Sequence, residues 1–152
     1  MIHDKLKITM QNHDELTGVN NNTLHLAGQV IFLAQKIEQR LKRIIFIRTK
    51  LWRSNTFADR DINKLTFNDL LKEVETYNLF TGKGMEILRT LQRKRNYVSH
   101  QIFLGVGFDE QHNPKLEHKI HDEMINMRSE FAEAYKYVYD AWVSYENSFA
   151  SY

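Results

Sequence analysis

The residues best suited to chemistry stand together at Arg93-Lys94-Arg95-Asn96-Tyr97-Val98-Ser99-His100. A histidine titrates near neutrality and can take or give a proton. An arginine keeps its charge and can stabilise a pentacoordinate phosphorane. Asn96 precedes His100 by four residues, so on a helix the amide can touch and orient the imidazole. Such a set suits cleavage of RNA through the 2′-hydroxyl, because the substrate then brings the nucleophile and no serine or cysteine triad is needed. No clustered-carboxylate motif argues for a two-metal site, so the expected reaction needs neither metal nor cofactor.

The element that must position these side chains is a helix, expected to open near Gly84 and close near Phe103. At about 100° per residue from Arg95, the apolar Ile87, Leu88, Leu91, Val98 and Ile102 fall on one stripe. Arg95 lies inside that stripe and Ser99 at its edge. A guanidinium aimed at a core is costly unless it is paired or faces a polar pocket. Arg89, Arg93, Asn96 and His100 form a contiguous polar face instead. Arg95 and His100 are about 140° apart and converge only if the long arginine side chain swings round. Arg89, Arg93, Lys94 and Ser99 are the candidate RNA contacts.

The remaining chain reads as scaffold. Spacings of three and four at Leu26, Val30, Leu33, Ile37, Ile44, Ile47 and Leu51 mark a long helix, with Ala27, Ile31, Ala34, Leu41 and Ile45 widening its buried face. Thr23 is placed to cap it. Residues 1–22 are expected to be loosely structured. Trp52 to Lys64 reads as a connection, and Thr66-Phe67-Asn68-Asp69 as a capping box opening a short helix with Leu70, Leu71 and Val74. Asn78 to Gly84 is the next break. The Gly82-Lys83 pair lacks the rest of a phosphate-binding loop. After an irregular excursion from Gly105 to Pro114, the last helix runs from about Lys115 to Ser148. Its seam is Ile120, Met124, Met127, Phe131, Ala134, Val138, Ala141 and Tyr145, in coiled-coil-like intervals. The fold class is all-α, an up-down bundle of three long helices and one or two short ones, in one domain over 1–152.

Composition agrees with that frame. Of 152 residues, 42% are hydrophobic and 26% charged, as in ordinary globular domains, and only six glycines and one proline interrupt helices. No apolar run is long enough to span a membrane. The absence of cysteine excludes disulfides and thiolate chemistry. A cytoplasmic protein is the default. Charge is polarised. Seven basic residues between Lys36 and Arg53 face Glu38 alone, and five between Lys83 and His100 face Glu86 alone. From Leu116 onward three basic residues face seven acidic ones. Basic stripes are the footprint expected of a phosphate-backbone partner, although solvated helix faces look the same.

Arg95-Asn96-Tyr97-Val98-Ser99-His100, late in an amphipathic helix of an all-α bundle, resembles the R-N-x-x-x-H motif of the HEPN superfamily (higher eukaryotes and prokaryotes nucleotide-binding). The likeness covers about Thr23 to the C-terminus, and its specific part is the six-residue motif. It implies a homodimer in which two motif helices face each other across a composite endoribonuclease site. It also implies a toxin–antitoxin, abortive-infection or other defence role, with an antitoxin or regulatory protein as partner. An acidic or polar residue from an earlier helix joins the site in some members, for which Glu38 is a candidate here. Members modified by a nucleotidyltransferase antitoxin carry tyrosine two residues after the histidine; this chain has Ile102.

Three other readings remain open. Arg95 pairing with a core carboxylate and His100 closing a helix end would be purely structural. A non-catalytic RNA- or nucleotide-binding interaction module would keep the basic helix without the reaction. His112, His118, His121 and Asp122 lie close in sequence and could hold zinc, but no third ligand accompanies the His118–Asp122 pair.

Overall fold

The computed structural model describes residues 21–51, 64–100 and 114–150. They form an all-α bundle of three long helices and one short helix: α1 (Asn21–Leu51), α2 (Phe67–Thr76), α3 (Gly82–His100) and α4 (Pro114–Ala150). Internal contacts group into two compact units. One takes α1 through Phe32, α3 from Lys94 and α4 through Glu130; the other takes the rest of these helices together with α2.

The first unit is closed by Leu26, Ala27 and Val30 from α1, Val98 from α3, and Ile120, Met124 and Met127 from α4, all buried. Contacts Thr23–His121 and Gln29–Arg128 run in the same chain sense, so α1 and α4 are parallel there. Lys94–Glu130 and Tyr97–Glu123 run in opposite senses, so α3 and α4 are antiparallel. Thr23 does not cap α1. Asn21 and Asn22 are already helical, and Thr23 is 1% exposed with its hydroxyl 2.9 Å from His121 Nδ1. A long-range polar partner thus takes the hydroxyl that sequence assigns to the helix end.

In the second unit Ile37, Leu41, Ile44 and Ile45 of α1 pack with Phe131, Ala134 and Val138 of α4, all within the core. α2 adds Phe67, Leu70, Leu71 and Val74, a helical i, i+3, i+4, i+7 face. Its capping box forms as the sequence predicts: Asp69 N donates to Thr66 Oγ1 at 3.2 Å, and Thr66 N donates to Asp69 Oδ2 at 3.1 Å. Its other end closes on Asn78, whose φ is 53°. Leu79 N donates to Val74 O and Asn78 N to Glu75 O, a Schellman motif with asparagine in the left-handed position.

α3 opens at Gly82 rather than at Gly84, because Thr81 caps it. Met85 N donates to Thr81 O at 2.9 Å and Gly84 N to Thr81 Oγ1 at 3.4 Å. Gly84 is instead a packing position: a Cβ there would lie 2.6 Å from the Tyr137 hydroxyl and 3.1 Å from Phe80 Cβ. α4 starts with proline at its first position and holds Glu117 in its first turn, both favourable at a helix N-terminus. Its expected seam is buried from Ile120 to Val138, whereas Ala141 and Tyr145 are only half-buried. Tyr145 keeps a polar tip that needs a partner, and its hydroxyl donates to Leu79 O at 2.9 Å.

Candidate functional site

The last two turns of α3 carry the motif, and three contacts within the first unit fix them. Val98 is 5% exposed and anchors the inner face. Tyr97 Oη donates to Glu123 Oε2 at 3.2 Å, and Lys94 Nζ pairs with Glu130. Burial raises the Tyr97 pKa above its usual value, and the Glu123 carboxylate beside it adds to the rise. Glu123 and Glu130 are seven residues apart, two turns along one face of α4. They receive residues three apart on the antiparallel helix. Sequence patterning does not reveal these partners, since either carboxylate reads as part of a solvated face until the helices are apposed.

With Tyr97, Val98 and Lys94 engaged, the neighbouring polar residues remain on the outside. Asn96, Ser99 and His100 are exposed, and Arg95, inside the apolar stripe by helical period, is half-buried. Arg95 Nη1 donates to Asn96 Oδ1 at 3.4 Å, so the guanidinium leans from its stripe towards the Asn96 side. That is the direction in which it must swing to approach His100. The Asn96 amide oxygen is turned to Arg95 rather than to the imidazole. His100 is the last described residue of α3, still helical, and is exposed.

The candidate RNA contacts separate by charge state of their surroundings. In the second unit Arg89 Nη2 lies 2.7 Å from Glu75 Oε1, and Arg93 Nη2 donates to Thr90 Oγ1 at 3.3 Å on its own helix. Arg89 and Lys94 are thus already opposed by carboxylates. Exposed ion pairs of this kind are worth about 0–1 kcal/mol, so a phosphate can displace either acid. Glu38 is half-buried on α1 in the second unit. Ile102 and His112 lie outside the described residues.

His118 Nε2 is 3.6 Å from Asp122 Oδ2, with both side chains well exposed. His121, by contrast, is tied to Thr23. Among the described residues no three histidine, aspartate or glutamate side chains converge as a metal site would require. No helix among them is long and apolar enough to cross a membrane. No family model, curated protein or solved structure matches the chain.

Proposed function

We propose that the chain is a HEPN-like, metal-independent endoribonuclease acting in the cytoplasm as a toxin or phage-defence effector. The observation that carries this reading is the Arg95-to-Asn96 contact beside an exposed His100, on a stretch of α3 held down by Tyr97 and Lys94. The substrate 2′-hydroxyl attacks the adjacent phosphorus, a histidine accepts its proton, and the 5′-oxygen leaves with a proton in return. A 2′,3′-cyclic phosphate and a 5′-hydroxyl end remain. Arg95 stabilises the charge that builds on the phosphorane oxygens, and Asn96 positions the guanidinium.

One copy of the motif offers a single imidazole, whereas the reaction needs a base and an acid. A second copy of α3 supplies the other half in this reading, so the active species is a homodimer with a composite site. Arg93, Lys94 and Ser99 line the approach for the phosphate backbone. An antitoxin or regulatory protein would act by covering or separating the paired helices.

A second reading, a non-catalytic RNA- or nucleotide-binding module, is favoured by one observation: the Asn96 oxygen engages Arg95 and leaves the imidazole unoriented by it. Expression in a bacterial host tests the two. Growth arrest by the wild-type chain, relieved by Arg95→Ala and by His100→Ala, supports the nuclease. Arrest of equal strength by His100→Ala would contradict it.

A further inference from the structure

The second unit carries an array of arginines and aromatic rings that neither the motif nor the core requires. Arg40 Cζ stands 4.1 Å from the Trp142 ring centroid and 5.5 Å from that of Tyr139. The Tyr139 ring lies 5.3 Å from Trp142 and 6.0 Å from Tyr135. Glu146 fastens the array from below: Oε1 accepts from Trp142 Nε1 at 3.0 Å and from Arg43 Nε at 2.5 Å. The Arg43 hydrogen bond, foremost, holds the Glu146 carboxyl below its usual range. Two side chains of the array face solvent, Tyr139 at 39% exposure and Arg43 at 45%.

The helical sectors decide what this ridge attracts. On α1, Lys36, Arg40 and Arg43 fall within about 60° of one another, and Glu38 lies about 160° from Arg40. On α4, Tyr135, Tyr139, Trp142 and Glu146 also fall within about 60°, while Glu133 and Asp140 turn roughly 100–120° away from Tyr139. The acidic character of α4 therefore faces elsewhere, and the single carboxylate within the sector is paired with Arg43. What remains is a cationic edge beside a fixed set of rings tilted against one another. A guanidinium already lying on an indole has lost the freedom that a ligand would otherwise have to freeze.

We infer that this ridge is a stacking platform for single-stranded RNA, with a base on the exposed part of Tyr139, another against Arg40, and phosphates met by Arg43 and Lys36. Rings that accept any base, alternating with cations that track the backbone, are what a flexible single strand requires. A regular duplex keeps its bases stacked on one another and cannot use the rings. The inference shares the substrate class of the proposed nuclease but makes no use of Arg95 or His100.

The test is fluorescence anisotropy with a 2′-O-methyl oligonucleotide, which cannot be cleaved, so that binding is read independently of the reaction. Wild type is expected to bind with strong salt dependence, and Tyr139→Ala and Arg40→Gln each to raise Kd about tenfold with helicity retained. Because a surface variant can still disturb folding, a Trp52→Phe chain, in which Trp142 is the sole indole, provides a second readout. Its emission should be quenched by the single strand and left unchanged by a duplex. The platform is overturned by failure of wild type to bind, by wild-type affinity in either variant, or by an indole that does not respond. It is equally overturned if the Tyr139 substitution alters self-association while RNA affinity stays the same. Loss of cleavage with this binding intact would count against the nuclease alone.

Discussion

Tyr97 of α3 reaches Glu123 of α4, its hydroxyl donating to the carboxylate at 3.2 Å. The bond lies one residue from Asn96 and three from His100, so the motif stretch of α3 is fastened through a side chain that takes no part in the proposed chemistry. It also couples the first unit to alkaline pH. Burial, then Glu123, raises the Tyr97 pKa, so its share of stability is whole below the ordinary value of 10.0 and is lost as pH rises through the folded value.

Tyr97→Phe is therefore expected to cost about 0.5–1.5 kcal/mol in urea denaturation at neutral pH, the usual worth of one hydrogen bond. In alkaline melts the variant should fall less steeply than wild type. Parallel curves above the tyrosine range would show that the contact contributes nothing in solution.

Lys94 is held by Glu130, and releasing it should favour a phosphate ligand. Glu130→Gln is expected to tighten RNA binding, and Lys94→Ala to weaken it while lowering the salt slope by about one. Filter binding across a salt series measures both. Opposite signs would remove Lys94 from the RNA surface.

Glu146 gives the acid counterpart. Its pKa is lowered, chiefly by the Arg43 hydrogen bond, so its contribution is present above the ordinary value of 4.5 and disappears as pH falls through the folded value. Wild type should melt above Glu146→Gln at neutral pH, with the gap closing in acid. Calorimetry over that range checks it, and a gap that widens in acid would reverse the assignment.

Gly84 is where α3 permits the Tyr137 hydroxyl to approach, and a Cβ would stand 2.6 Å from it. Alanine improves helix propensity by about 1 kcal/mol, so the contact opposes a real gain. Gly84→Ala is expected to lose stability in the wild-type background and to recover part of it when combined with Tyr137→Phe. Additive effects in that double-mutant cycle would place the strain elsewhere.

Local signals in the chain were readable wherever both partners sit within one turn or one helix. Thr66 and Asp69 form their box three residues apart, and the α4 seam from Ile120 to Val138 follows its own spacing into the core. Arg95 sits half-buried because its place in the apolar stripe is set by helical period alone. What escapes such reading depends on apposition. Thr23 is drawn from a capping role to His121, 98 residues away, and Arg40 lies on a tryptophan that no sequence interval connects to it. Asn78 sits between the two cases. An asparagine after a helix tolerates a positive φ, but whether it closes a Schellman turn depends on where the next helix is packed.

Cleavage of a single-stranded RNA by the purified protein in EDTA tests the nuclease most directly. Wild type should yield 2′,3′-cyclic phosphate and 5′-hydroxyl ends and leave DNA of the same sequence whole. His100→Ala should slow the reaction by at least about 10²-fold with its melting curve unchanged. A His100→Ala protein that cuts at close to the wild-type rate would contradict the account.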